Sequence, residues 1–346
     1  MKNNQRILVA MSGGVDSSVA AAVLLDQGYE VVGVTMKLWG GASDTGCCSV
    51  SDVIDARRVA DQLGIQHHVF NFGDEFDTHV VNPYVEAHKI GETPNPCIEC
   101  NRHVKFDKLF RRATALGFDL IATGHHAQIV SQSEGLRLSR SVDLNKDQSY
   151  VLHMLNEAQL ARLKLPIGNL TKEKVREIAA SLSLQTAEKA DSQDVCFISR
   201  TKGGRQRFLE QHMVMTPGQV IDTQGKRIAN VPAVQMVTIG QRKGLGVSGV
   251  GEPQYAVDVN VESATVTTGP KTDLYCDQTL ITDIQWVGEP IADSLEIQTS
   301  AHGRTAQAKV IDKIYWEKPH RKIAPGQSAV FYSEDKVVGS GIVSRS

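Results

Sequence analysis

Three stretches of the chain carry residue types that do chemistry. The first is Ser12-Gly13-Gly14-Val15-Asp16-Ser17-Ser18, set between an unbroken apolar run, Ile7 to Met11, and a run of helical character, Val15 to Leu25. Two glycines let the backbone turn tightly, the N–H groups of an opening helix favour an anion, and Ser12, Ser17 and Ser18 add hydroxyl donors. The stretch is a candidate phosphate cradle. It is not a Walker loop, because no Gly-Lys-Ser/Thr follows at the required spacing. An ordinary Gly-rich strand-to-helix turn is the plainer alternative for so short a motif.

The second stretch is Thr93-Pro94-Asn95-Pro96-Cys97-Ile98-Glu99-Cys100-Asn101, where two prolines stiffen the approach to a Cys-x-x-Cys just before a helical pattern. A thiol near a helix N-terminus and flanked by cations has a lowered pKa, and Arg102, His103 and Lys105 supply cations. Cys100 is therefore a candidate nucleophile. Half a zinc site completed by Cys47 and Cys48, or a structural pair of thiols, fits the same spacing. The third stretch, Asp191-Ser192-Gln193-Asp194-Val195-Cys196-Phe197-Ile198, holds a single cysteine that is either reactive or a small buried hydrophobe. Arg102, Lys105, Lys108, Arg111 and Arg112 follow Cys100 against Asp107 alone, and Arg200, Lys202, Arg205 and Arg207 follow Cys196. Such patches suit a phosphate-rich partner through counterion release, although a basic helix face can also simply be solvated.

These residues need a scaffold, and residues 6 to about 198 alternate short apolar runs with helical periodicity, the pattern of a parallel sheet covered by helices. Strands are expected at Ile7–Met11, Val31–Met36, His68–Phe72 and Leu120–Thr123, and helices at Val53–Leu63, Val104–Leu116 and Lys172–Leu182, the last capped by Thr171. His125 and His126 after Gly124, and Lys146-Asp147-Gln148, fall at expected element ends, and in an open parallel sheet ligands bind at the carboxyl ends of the strands. Beyond about residue 199 come Gly-rich turns and short strands such as Tyr255–Val261 and Ala329–Tyr332, with almost no helical pattern. Residues 202–207 read as a linker or exposed arm, and Gly269-Pro270 as a turn marking a second boundary.

A chain of 346 residues with 41% hydrophobic content can bury a sizeable core, and its length favours two or three domains. No apolar run approaches the roughly 18 residues that span a bilayer. Met1 to Arg6 leads into a strand without a signal-peptide core, so a cytoplasmic address is expected. The net charge of −2 gives no bulk support for a nucleic-acid partner, which must rest on local patches. Six cysteines at 47, 48, 97, 100, 196 and 276 do not form a secreted disulfide pattern, and point to catalysis or metal binding.

The loop at 12–18 resembles the pyrophosphate loop of N-type ATP pyrophosphatases, which split ATP between its α and β phosphates to adenylate a substrate. Over essentially its whole length the chain resembles the tRNA-specific 2-thiouridylases, which replace the 2-oxygen of the wobble uridine with sulfur in the Lys, Glu and Gln acceptors. The resemblance is carried by Met11 to Ser18, Cys47-Cys48, Thr93 to Asn101, Ala122-Thr123-Gly124-His125, Lys146-Asp147-Gln148-Ser149, Asp191 to Ile198, and Thr238-Ile239-Gly240-Gln241-Arg242-Lys243-Gly244-Leu245-Gly246. It implies an α/β parallel-sheet nucleotide-binding and catalytic domain over 1–198, a small central β-rich domain over 199–262 and a C-terminal tRNA-binding β-barrel over 263–346.

The same resemblance implies ATP against Ala10, Met11, Ser12, Gly13, Gly14, Val15, Asp16, Ser17, Met36 and Gly124, with Mg2+ bridging its phosphates. Cys196 would carry a persulfide from a sulfur-relay protein or cysteine desulfurase. Cys100 would be the partner thiol, releasing the sulfur through a transient disulfide or attacking the adenylate. Asn95, Pro96 and Cys97 align with the target-base contact, and His125, Lys146, Asp147, Gln148, His302, Gly303 and Gln327 with tRNA contacts. Two departures stand out: His302-Gly303-Arg304 replaces an aromatic between two arginines, and Glu92 replaces the arginine usual before Thr-Pro-Asn-Pro. Cys97, Cys100 and Cys196 are also chemically compatible with an iron–sulfur cluster having one open iron. Two rival readings are an amidotransferase-type synthetase acting on a small carboxylate and a zinc- or cluster-binding RNA module.

Overall fold

Ile7, Leu8 and Val9 are fully buried, as a strand with helices over both its faces requires. They lie in β1 (Arg6–Ala10), the centre of a five-stranded parallel sheet. Its other strands are β2 (Glu30–Lys37), β3 (Gln66–Asn71), β4 (Leu120–Thr123) and, beyond the hairpin of β5 (Ala127–Gln132) and β6 (Gly135–Arg140), β7 (Leu163–Lys164). The order is β3-β2-β1-β4-β7, with Ile7 opposite both Val31 and Leu120. The structure, a computed structural model, describes residues 5–38, 49–191, 195–198, 203–247 and 252–345. The chain forms two compact units, one of residues 1–81, 96–201 and 335–337, the other of residues 82–95, 202–334 and 338–346.

In the first unit, helices α1 (Val15–Asp26), α2 (Val50–Leu63) and α3 (Lys172–Ser181) bury Val19, Ala20, Val59 and Val175 with Ile7 and Val9 in one core. Their starts follow from local chemistry. Ser49 and Asp52 make a reciprocal capping box for α2, and the Thr171 hydroxyl accepts from Lys174 N–H at 3.2 Å to cap α3. By contrast α1 opens at Gly14 with no side-chain cap. The expected helix at 104–116 begins earlier, as a π-helical stretch Cys100–Lys108 running into an α-helix, Leu109–Ala115. The five-residue step from buried Val104 to buried Leu109 suits the wider π turn.

In the second unit the stretch expected to be a linker is instead helical: α4 (Gly204–His212) buries Phe208 and Leu209. A four-stranded sheet follows, built from β8 (Gly218–Ile221), β9 (Arg227–Val231), β10 (Tyr255–Asn260) and β11 (Thr265–Gly269), in the order β10-β11-β8-β9. Gly269-Pro270 separates it from a barrel of β12 (Tyr275–Trp286), β13 (Leu295–Gln298), β14 (Ala306–Val310), β15 (Lys313–Arg321), β16 (Ser328–Ser333) and β17 (Lys336–Val343). Pairing of Ile281 with Val343 closes the six strands into a ring, which removes free edges. Inside, Trp316 donates its indole N–H to the Thr279 hydroxyl at 2.9 Å, satisfying the one polar atom of a buried ring.

Among the described residues no helix is long and apolar enough to cross a membrane. The cap of α3 is expected to matter measurably: Thr171→Ala should lower stability by about 1 kcal/mol in a denaturant titration, and Thr171→Ser should leave it nearly unchanged.

Candidate functional site

The strand order reverses beside β1: β2 and β3 lie on one side of it, β4 and β7 on the other. The crevice at the carboxyl ends of β1 and β4 is therefore where such a sheet takes its ligand. Residues 11–14 leave β1 there and residues 124–126 leave β4. Gly13 adopts φ +72°, and a Cβ on it would fall 2.3 Å from the Asp52 carbonyl oxygen. A Cβ on Gly124 would fall 2.5 Å from the Ser17 backbone nitrogen, inside the first turn of α1. Both glycines are thus demanded by close approach, and Gly13 also by conformation.

Within the loop, Ser12 N–H donates to the Ser17 hydroxyl at 3.1 Å, while the Ser17 and Ser18 hydroxyls donate to the Gly14 carbonyl at 3.1 and 2.9 Å. These bonds hold the turn from below and leave the first turn of α1 without a capping side chain. Orphan N–H groups at a helix start, with the positive end of the dipole behind them, are a ready anion site. Ala10, Met11 and Val15 are buried beneath it, as is Met36 near the end of β2.

Charged groups crowd the same crevice. Lys172 Nζ lies 2.7 and 2.8 Å from the two Asp16 carboxylate oxygens and 2.8 Å from Asp191. Asp191 also accepts from Lys146 at 2.8 Å and from Arg176 at 3.1 Å, and buried His126 reaches Asp16 at 3.2 Å. Burial works to raise the Asp191 pKa, but the hydrogen bonds and charges of Lys146 and Lys172 overcome it and hold the carboxyl at about 2. Asp16 is likewise net lowered, with burial opposed by His126 and Lys172. For His125, burial first, then Lys105 and His126, push the imidazole down to about 3 against an opposing pull from Asp16, and its Nδ1 lies 2.8 Å from the Thr123 hydroxyl.

Of the Lys146-Asp147-Gln148 run, only the lysine joins this cluster. Asp147 accepts from Ser141 N–H, Ser149 N–H and the Ser149 hydroxyl, at 2.9, 3.2 and 2.6 Å, so its carboxylate holds its own turn. Gln148 accepts from His126 N–H at 2.9 Å and steadies the segment after β4. The sequence reading missed Lys172, Arg176 and the role of Asp191. A signal was present in Lys172, because an ammonium at the first position of a helix is disfavoured by the dipole and calls for a reason.

Cys100 is buried at the head of the π-helical stretch and Cys97 is exposed one turn before it. Cys196 is half-buried on a short turn whose neighbour Phe197 takes the buried place, packed edge-on against Phe76 at 5.7 Å. Among the described residues no three His, Cys, Asp or Glu side chains gather as a metal-binding group. The three cysteines that are chemically compatible with a cluster differ in exposure: Cys97 is exposed, Cys196 half-buried and Cys100 buried. Cys47, Cys48, Ser192, Gln193, Asp194, Arg200 and Lys202 lie outside the described residues. Much of the basic run after Cys100 is already engaged: Arg102 and His103 with Glu99, Lys108 with Glu75, Arg111 with Asp107, and Arg112 over the Phe70 ring.

In the second unit His302 and Arg304 are exposed beside Gly303, whose N–H donates to Ser300. Gln327 donates its amide to the Thr93 carbonyl, holding the segment that leads through half-buried Asn95 to buried Pro96.

Family models described as the tRNA methyl transferase HUP domain, the tRNA methyl transferase PRC-barrel domain and the aminomethyltransferase beta-barrel domain match residues 5–200, 206–270 and 276–343. The tRNA-specific 2-thiouridylase MnmA of Chloroflexus aggregans is 43% identical over 98% of both chains. The chain belongs to the tRNA-specific 2-thiouridylase family. Its relative from Carboxydothermus hydrogenoformans, of the same name, is 41% identical over 99% of this chain and 98% of its own. The domain descriptions name a different chemistry, and the end-to-end match to these relatives decides between them. Among solved structures, the U34-tRNA thiolase NcsA of Methanococcus maripaludis is 19% identical, covering 61% of this chain and 65% of its own with a TM-score of 0.38.

Two outcomes are expected for this family member. Gly124→Ala should weaken ATP binding at least about tenfold by displacing the first turn of α1, as read by equilibrium dialysis. His125, with a folded pKa far below the unfolded 6.5, binds no proton at neutral pH; its ring resonances should not titrate between pH 5 and 9. Stability should fall as pH drops below 6.5, where the unfolded state takes up the proton first, and His125→Gln should remove part of that slope.

Proposed function

We propose that the protein is an ATP-dependent tRNA-uridine 2-sulfurtransferase that thiolates the wobble uridine of the Lys, Glu and Gln acceptors in the cytoplasm. The observation that carries this reading is the close meeting of Gly124 with the uncapped start of α1 at the switch point of the sheet. That geometry suits a triphosphate, and the cysteine pair of the same unit suits sulfur transfer. ATP is held by Ala10 to Ser17, Met36 and Gly124, and enters as its Mg2+ complex.

A carbonyl oxygen is a poor leaving group and AMP is a good one, so activation must precede substitution. The uridine 2-oxygen forms a bond to the α-phosphorus as the bond to the β-phosphate bridging oxygen breaks, and pyrophosphate leaves. Cys196 carries the persulfide received from a sulfur-relay protein or cysteine desulfurase. The Cys100 thiolate attacks the inner sulfur, forming a Cys100–Cys196 disulfide and releasing hydrosulfide. Hydrosulfide adds to the activated ring carbon, and AMP departs with the oxygen; a cellular thiol then reduces the disulfide. Asn95, Pro96 and Cys97 face the base, which must leave the anticodon stack at a cost of a few kcal/mol. His125, Lys146, Asp147, Gln148, His302, Gly303 and Gln327 contact the tRNA.

The test is incubation of the pure protein with ATP, Mg2+, a persulfide donor and unmodified tRNA. AMP, pyrophosphate and 2-thiouridine are expected in equal amounts, and ADP as the product would overturn the reading. Cys100→Ser and Cys196→Ser should each lower 2-thiouridine formation by a factor on the order of a hundred or more, with ATP binding unchanged.

A further inference from the structure

The segment Thr238 to Gly246, in the second unit, takes no part in the chemistry of the loop and the cysteines, yet many bonds fix its shape. Gly240 N–H donates to the Ala256 carbonyl of β10 at 2.7 Å, and Ala256 N–H returns a bond to the Gln241 carbonyl at 2.9 Å. At the other end Leu245 is buried in the core of the small sheet. Between these anchors the Gln241 side chain clamps the turn: its oxygen accepts from Thr238 N–H at 3.2 Å, and its amide donates to the Lys243 carbonyl at 2.8 Å. Gly246 closes it with φ +70°, where a Cβ would fall 2.8 Å from the Asn230 carbonyl oxygen.

The fixed turn presents positive charge. Arg242 and Lys243 are exposed at its tip, and the sequence holds no acid from Thr238 to Gly251. The barrel brings a third cation to them: Arg321, at the end of β15, donates from Nη2 to the Gly240 carbonyl at 2.9 Å. A Cβ on Gly240 would fall 2.3 Å from that nitrogen, so the glycine is what admits the guanidinium. Among the described residues none of the three cations has an ion-pair partner, and the backbone N–H groups of residues 242–246 find no acceptor. Even set against Glu252, Asp258 and Asp277 on the neighbouring segments, with Arg227 and Lys322 beside those acids, the surplus is two positive charges. Three like charges gathered on a rigid turn repel one another, and folding of the small sheet gives no reason for them.

Successive unpartnered N–H groups beside guanidinium and ammonium groups suit phosphate oxygens. The tip is open and its cations follow one another along the surface, which suits a chain of phosphates better than one small anion. Gln241, whose amide could read an adenine edge, has both ends of that amide occupied, which favours a backbone contact over base readout. We infer that the turn at 238–246, together with Arg321, binds the ribose-phosphate backbone of tRNA, with Arg242, Lys243 and Arg321 each meeting a phosphate. Resting on the thiolation reading for the identity of the RNA, this assignment adds an RNA surface in the second unit whose residues stand apart from the chemistry.

Filter binding of unmodified tRNA to the full-length protein, without ATP and over a range of salt, tests it. Arg242→Gln and Lys243→Gln together should weaken binding about tenfold or more near 0.1 M salt, and should make the slope of log K against log salt shallower by about 1.5, as two lost phosphate contacts require. Arg321→Gln should reduce the slope by about one, whereas Arg242→Lys with Lys243→Arg should keep it. In the thiolation assay the double Gln variant should raise KM for tRNA with kcat held within about twofold, and its ATP binding by equilibrium dialysis should be unchanged. An unchanged salt slope in that variant, or a loss of ATP binding as large as the loss of tRNA binding, would overturn the assignment. Wild-type protein whose tRNA binding depends on these cations yet which forms no 2-thiouridine would defeat the thiolation reading alone.

Discussion

No side chain fits between Gly124 and the first turn of α1, and everything chemical in the first unit depends on that closeness. The contact locks the ends of β1 and β4 together at the one place where the sheet changes direction. It also decides what the helix start can do. With β4 pressed against it and no serine or aspartate capping it, the first turn keeps its N–H groups turned toward the crevice, and an anion is the partner that they lack.

The charged cluster extends the same logic beyond the backbone. Asp16 sits inside an anion-friendly turn, which would repel a phosphate were the carboxylate not matched. Lys172 and His126 match it, and Asp191 in turn keeps Lys172 from swinging into solvent. The result is a network whose charged groups are held in place before any ligand arrives, so that little reorganisation is needed on binding. The neutral His125 beside it supplies polarity without charge, kept so by burial.

The parallel sheet and its helices were legible because each leaves a period in the sequence. Val31 to Met36 is apolar but for Thr35, as suits a strand covered on both faces, and Val175, Ile178, Ala179 and Leu182 return at helical spacing. The tight turn between β1 and α1 was legible because a glycine pair, Gly13-Gly14, stands between an apolar run and a helical one. What left no trace was pairing at a distance: the bond from Lys172 to Asp16 spans 156 residues, and nothing local marks either end except the misplaced charge. Asp147 stands in the polar run expected at the RNA, and its carboxylate accepts three bonds from its own turn, which no local period announces. Helix α4 was missed because Phe208 and Leu209 are adjacent and give no period at all.

The stretch 82–95 belongs to the second unit although the first unit's chain runs on both sides of it. Thr93 bonds through its N–H to Pro325 and through its carbonyl to Gln327, 234 residues later in the chain. On a ribosome adding about 5–20 residues per second, that stretch emerges roughly ten to fifty seconds before its partners exist. During synthesis Pro94 therefore hangs on a tether with nothing to seat it, and the stretch just ahead of Pro96 is among the last parts of the molecule to settle.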